Sequence, residues 1–271
     1  MNTLKELQNL GQTEKRMPVL FIGHGSPMNG IEHNEFTENW KQAVEYIPKP
    51  KAIVVVSAHW ETRGTFVTVM PQPPTIYDFG GFPRELFEAK YPAKGSPETA
   101  REISANIKQT AIGLDDKGWG LDHGTWTILR HMYPNADVPA VQLSLHYDQP
   151  AQWHFELAKE LTFLRKRGVL IIGSGNIVHN LRKIDFHGER EFEWAKIADE
   201  TLRKHIFSGD FQKLIRFESL GREVLTGIPT PEHFLPLLYT LGLRADDEEI
   251  SLFNDKLVYG SLSMTSIKIG N

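Results

Sequence analysis

The sequence predicts a single α/β domain built on a central, largely parallel but mixed β-sheet flanked by helices. Three observations carry that expectation. Apolar runs without alternation, such as Ala52-Ile-Val-Val-Val-Ser-Ala58, read as strands buried on both faces. Stretches with apolar residues at three- and four-residue spacing lie between these runs, which is the order of a layered α/β fold. The strand from Thr65 follows its predecessor across the short turn Glu61-Thr62-Arg63-Gly64, so the sheet is mixed.

The elements follow in order. Residues 1–16 are polar and read as an extension or a short surface helix, and the domain is placed at 17–271. Its first strand is the apolar run from Met17, ending in Gly23. Further strands are predicted at Ala52 to Ala58, Thr65 to Met70, Ala140 to Leu145, Val169 to Gly173 and Tyr259 to Ile269. Helices are predicted over Phe36 to Tyr46, Pro97 to Thr110, Thr125 to Met132, Ala151 to Arg167 and Glu191 to Phe207. A final helix from Pro231 to Leu241 carries a proline near its first turn. There is no internal repeat, linker or low-complexity tract.

Composition narrows the chemistry. The chain has 271 residues and a formal charge of −4, so it offers no basic field for nucleic acid. No run approaches the roughly 18 apolar residues of a membrane span. The N-terminus lacks the apolar core of a signal peptide. Cysteine is absent, which removes disulfides, thiolate metal sites and thiol nucleophiles together and fits a reducing cytoplasm. Eleven histidines remain, so a transition-metal site here must use imidazole and carboxylate ligands.

Three histidines occupy one kind of place. His24 follows the first strand, His59 follows Ile53 to Ala58, and His179 lies just past Val169 to Gly175. The crevice beyond the carboxyl ends of strands is where open α/β sheets bind ligands. If these strands are parallel neighbours, the three imidazoles converge there. His233 reaches inward from the flank of the last helix, about 90° from the centre of its apolar face at roughly 100° per residue, while Glu232 points to solvent. His123 sits at the start of a helix capped by Asp122 or Thr125. His146, also after a strand, is a reserve candidate, and the remaining histidines read as surface or satisfied core residues. Trp60, Tyr77, Phe79 and Trp126 are the aromatic side chains expected near the site.

Five motifs occur in order: Phe21-Ile-Gly-His24-Gly-Ser-Pro27, Val56-Ser-Ala-His59-Trp60, Asp122-His123-Gly-Thr-Trp126, Gly173-Ser-Gly-Asn-Ile-Val-His179-Asn180 and Thr230-Pro-Glu-His233. With Tyr77-Asp-Phe-Gly-Gly-Phe-Pro83 they make the chain, from about Met17 onward, closely similar to the class III extradiol ring-cleavage dioxygenases, the superfamily of the protocatechuate dioxygenase β-subunit. The 4,5-DOPA extradiol dioxygenase branch is the nearest match. The resemblance implies that His24 and His59 bind the metal and that His179 is the acid/base catalyst, with His123 beside the substrate. It also implies that His233 takes the place of the glutamate ligand of the protocatechuate enzymes. That branch is described as binding zinc through four histidines, which would add His179 to the ligands and leaves its role open between ligand and acid/base.

The activity so implied is opening of a catechol ring, DOPA-like, by O₂ to a semialdehyde. One non-haem divalent metal is expected, Fe(II) for catalysis with Zn(II) a frequent occupant, since zinc binds nitrogen donors more tightly but has no redox chemistry. The expected partners are therefore a small catechol and O₂. His179 would move the proton, and His123 would donate a hydrogen bond to substrate or oxygen. Trp60 and Phe79 are the expected aromatic substrate contacts. Two rivals stand beside this reading: a zinc hydrolase using the same histidines, and a non-enzymatic metal-binding relative.

Overall fold

The computed structural model of the protein describes residues 16–186 and 192–271. The extension expected at residues 1–16, apart from Arg16, lies outside the described residues, as do His187 and the predicted helix start at Glu191. Strands β1 (Val19–Gly23), β2 (Ala52–Thr62), β3 (Thr65–Thr68), β4 (Ile112–Asp115), β5 (Ala140–His146), β6 (Val169–Gly175), β7 (Ile250–Phe253), β8 (Leu257–Val258), β9 (Leu262–Ser263) and β10 (Ser266–Ile269) are joined in two sheets. The large one has eight strands in the order β4-β3-β5-β2-β6-β1-β10-β7, and β8 pairs with β9. β5, β2, β6 and β1 run parallel. Antiparallel β10 and β7 close one edge, and β3 meets β5 antiparallel on the other side. The sheet is mixed, as the sequence predicts.

Alternation along each central strand feeds two cores. Val19, Phe21, Val54, Val56, Val169 and Ile171 pack on one face. Leu20, Ile22, Ile53, Val55, Leu170 and Ile172 pack on the other. Both faces are apolar because helices cover both, so no polar alternation survives in the sequence. Burying each such side chain contributes about 1.5–3 kcal/mol, which makes these strands a rigid frame for whatever stands at their ends. The covering helices are α1 (Glu35–Val44), α2 (Arg84–Glu88), α3 (Pro97–Asn106), α4 (His123–Met132), α5 (Ala151–Glu160), α6 (Thr162–Lys166), α7 (Glu193–Ser208), α8 (Phe211–Ile215), α9 (Arg222–Gly227) and α10 (Leu235–Gly242). No described helix is long and apolar enough to cross a membrane.

The departures from expectation have local causes. β2 runs on through His59 to Thr62, so His59 lies within the strand and not after it. β3 does not pair with β2 across the short turn, because β5 lies between them. The last predicted strand is broken into β9 and β10. The last helix begins at Leu235, not at Pro231, with Pro236 in its first turn, where a proline's missing N–H costs nothing. Residues 231–234 instead form a turn in which Phe234 N–H bonds to the Pro231 carbonyl at 2.9 Å. β4 and β7 escape notice in the sequence because neither carries an apolar run; β7, on the edge, has no fully buried residue.

Candidate metal centre

β1, β6 and β2 are consecutive parallel neighbours, so their carboxyl ends open on one crevice. His24 leaves β1 there, its backbone N–H held by the Gly175 carbonyl at 3.1 Å. His59 arrives differently. The pairing of β2 with β5 shifts register between Val56 and Glu61. An irregularity of that kind re-aims side chains, and it lets His59 stand over the crevice. His123 is the first residue of α4, whose N-cap is Asp122: its side chain accepts the Thr125 N–H at 3.1 Å. His233 hangs from the turn before α10, pressed onto the end of β6. A Cβ on Gly175 would lie 2.1 Å from the His233 carbonyl, so only glycine permits that approach. His179 follows the loop after β6, with its N–H on the Gly227 carbonyl at 2.8 Å.

These five histidines meet around a cavity of about 610 Å³. The imidazole centroids of His24, His59 and His233 form a triangle with sides of 4.9, 5.0 and 5.4 Å. The Nε2 atoms of His24 and His59 face each other at 3.1 Å. His24 Nδ1 lies 3.0 Å from Ser174 Oγ, whose own hydroxyl is donated to the Gly124 carbonyl at 2.5 Å. Ser174 is thus an acceptor toward His24, which puts the proton on Nδ1 and leaves Nε2 bare. His233 is fixed in the same sense: Nδ1 lies 3.0 Å from Glu232 Oε1, and its buried Nε2 has no hydrogen-bond partner. An unsatisfied buried nitrogen costs about 1–3 kcal/mol. Two groups bring ligand atoms within 4.8 Å of one another, His24-His59-His123 and His179-Glu232-His233, and both face the same cavity. Bare nitrogens in a buried pocket are what a divalent cation satisfies, so the donor set fits a metal bound by imidazole.

The electrostatics agree. Burial, then the charges of His233, His123 and His179, hold the pKa of His24 well below its ordinary value. Burial and the neighbouring histidines do the same for His59. At His233 burial also wins, against the opposing pull of Glu232. Burial pushes the Glu232 carboxyl up, but its hydrogen bond and charge interaction with His233 outweigh this and bring it to about 2. Glu232 does not point to solvent, as the helical projection predicts; the turn before α10 folds its carboxylate back onto its neighbour.

His179 is set apart. Its ring stacks on His233 with centroids 3.5 Å apart and planes 8° from parallel. Burial and then His233 lower its pKa to about 3. His123 lies beside His59, with centroids 3.9 Å apart, and its Nδ1 is 2.8 Å from Asp78 Oδ2. Neither Asp78 nor Glu232 is among the site residues that the sequence predicts. Asp78 stands inside the Tyr77-to-Pro83 motif, which was the available signal.

The aromatic expectations divide. Phe79 lines the cavity and meets the His123 ring edge-on at 5.5 Å. Trp60 does not line it: strand alternation turns it away from His59, and it stacks on Trp119 at 6.0 Å. Tyr77 and Trp126 pack behind Phe79, with their polar atoms on the Ala89 and Ile76 carbonyls. The reserve candidate His146 lies outside the cavity, against Trp153. A second groove, about 660 Å³ at Arg16 and Asp247, has no histidine in its lining.

One glycine tests this arrangement. A Cβ on Gly124 would lie 2.6 Å from Ser57 Oγ, 3.0 Å from His59 Cδ2 and 3.2 Å from Ser174 Oγ. Gly124→Ala therefore displaces both His59 and the serine that orients His24. Metal titration is expected to show affinity about 10- to 100-fold weaker, the usual cost of a lost supporting contact. Unchanged affinity would mean that the crevice is looser than these distances state.

The comparisons with known proteins agree with this geometry. A family model described as the catalytic LigB subunit of aromatic ring-opening dioxygenase matches residues 18–269. A protein of Escherichia coli (strain K12) named 4,5-DOPA dioxygenase extradiol is 45% identical over 97% of this chain and 98% of its own length. One of the same name from Beta vulgaris is 35% identical over 95% of this chain and 100% of its own. The crystal structure of an uncharacterized protein from Escherichia coli K12 superposes with a TM-score of 0.83 at 41% identity, covering 94% of this chain and all of that one. With nearly its whole length matched and its histidines gathered around one buried crevice, the chain belongs to the family of aromatic ring-opening dioxygenases, metal-dependent oxidoreductases of the extradiol kind.

Proposed function

We propose that the protein opens the ring of a DOPA-like catechol beside its two hydroxyls, adding both atoms of O₂ to give a ring-opened semialdehyde. His24, His59 and His233 are the ligands of a single Fe(II), with Zn(II) a competing occupant of the same nitrogens. His179 is the acid/base catalyst. His123 contacts the substrate hydroxyls, and Phe79 packs on the ring. When bound, Fe(II) supplies the electron transfer between catechol and oxygen that closed-shell Zn(II) cannot. A cytoplasmic setting is part of the proposal and rests on the absence of cysteine.

The stacking of His179 on His233 supports this division of labour. Imidazole lone pairs lie in the ring plane. The two rings lie face to face, so their lone pairs run in separate parallel planes and do not aim at one point; His24, His59 and His233 would hold the metal without His179. His179 is then free for proton transfer. With its pKa lowered to about 3 it is neutral at pH 7 and enters as a base. It accepts a hydroxyl proton as the catechol binds and returns one to oxygen as the ring opens. The hydrolytic alternative finds less support. Asp78 and Glu232, two carboxylates at the site, are both bonded to histidine Nδ1 atoms, which is the role of orienting an imidazole.

The test is oxygen uptake by metal-free protein reconstituted anaerobically with Fe(II) or Zn(II), on addition of L-DOPA. Uptake with a yellow product under Fe(II) and none under Zn(II) is the expected result. Absence of uptake with Fe(II) across several catechols would overturn the proposal.

A further inference from the structure

Asp78 stands against two of the site's histidines. Its Oδ1 accepts the backbone N–H of His123 at 2.9 Å, and its Oδ2 lies 2.8 Å from the Nδ1 of the same residue. That Oδ2 is also 3.5 Å from His59 Nδ1. The segment that carries it is fastened to the one that carries His123. Ile76 N–H bonds to the Leu121 carbonyl at 2.7 Å, Leu121 N–H to the Pro74 carbonyl at 2.8 Å, and Trp126 Nε1 to the Ile76 carbonyl at 3.0 Å. Phe79, next in sequence, holds the His123 ring from its edge. One carboxylate is therefore built rigidly against two histidines of the site.

An ionised carboxylate only accepts hydrogen bonds. Bound to both its oxygens, a neutral His123 must carry its proton on Nδ1, which leaves Nε2 with a lone pair. We propose that Asp78 is a positioning residue that fixes His123 in the Nδ1–H tautomer, so that Nε2 accepts a hydrogen bond from a substrate hydroxyl. This reverses the donor role that the sequence predicts for His123. A substrate hydroxyl beside His123 then meets a lone pair and not an N–H. That last step rests on the catechol reading proposed above; the tautomer does not.

Asp78→Asn is the discriminating variant. The amide oxygen can keep the backbone N–H of His123, but the NH₂ then faces Nδ1 and demands the opposite tautomer, moving the proton to Nε2. A tautomer imposed wrongly in this way disables an imidazole without disturbing its place. In the Zn(II)-loaded protein with ¹⁵N-labelled histidine, the ring nitrogen shifts of His123 should report Nδ1–H in the wild type and Nε2–H in Asp78→Asn. With saturating Fe(II), turnover of L-DOPA by the variant should fall about 100-fold, less than the roughly 10⁴-fold lost when a wrongly protonated imidazole must itself transfer the proton. A wild-type His123 found as Nε2–H or doubly protonated would overturn the assignment, and this arm needs no variant to fold. So would full turnover in a variant whose proton has moved. If the wild type shows Nδ1–H yet turns over no catechol, the catechol reading fails while the Asp78 assignment stands.

Discussion

His233→Ala is expected to empty the metal site. The Nε2 of His233 is buried without a protein partner, while Glu232 holds the opposite nitrogen at 3.0 Å. That is the carboxylate–histidine arrangement by which proteins orient an imidazole toward a metal. Loss of an outer partner such as Glu232 usually weakens metal binding about 10- to 100-fold, so loss of the ligand itself should exceed this. Alanine also leaves Glu232 half-buried with no imidazole to hold its carboxyl at about 2. The measurement is metal content after dialysis together with oxygen uptake under excess Fe(II). The variant should retain less than one hundredth of the wild-type metal affinity and show no uptake. A variant that kept tightly bound metal and full turnover would remove His233 from the ligand set and require His123 or His179 in its place.

The glutamate beside His233 also shows where sequence reasoning reaches its limit. The strands that lead to His24, His59 and His179 are legible because a parallel sheet covered on both faces leaves unbroken apolar runs, whose carboxyl ends open on one crevice. The five motifs then placed the histidines in a known family. The carboxylates were not legible. A helix starting at Pro231 sends Glu232 to solvent, but the helix begins at Leu235, so that projection does not hold. Asp78 lies in a segment without regular structure, and its partner is 45 residues away. No local periodicity encodes such a contact. Trp60 failed for the opposite reason. It adjoins His59 in sequence, but in a strand adjacent side chains point to opposite faces, and β2 extends past both of them.

His179→Ala separates catalysis from metal binding. Were His179 a ligand, its removal would weaken metal binding as His233→Ala does. The parallel stack on His233, 3.5 Å between centroids, places the two sets of lone pairs in different planes, so His179 would stand beside the ligand set without joining it. The stack also explains how a residue on a loop keeps its aim: the backbone N–H of His179 is tied to the Gly227 carbonyl and its ring lies flat against a neighbour. The expected result is metal content within a few-fold of wild type and turnover lower by about 10²–10⁴, the usual contribution of a positioned acid/base. The pH dependence carries further information. A group neutral down to pH about 3 in the resting site does not lose its base form as pH falls from 8 to 5, so acid inhibition in that range must come from elsewhere. The wild type and His179→Ala should therefore show the same limb on the acid side in kcat/KM, at very different heights. A limb near pH 6.5 that vanished with His179 would mean that its ring titrates as if exposed to water, and the stacked, buried arrangement would not be the one that meets substrate.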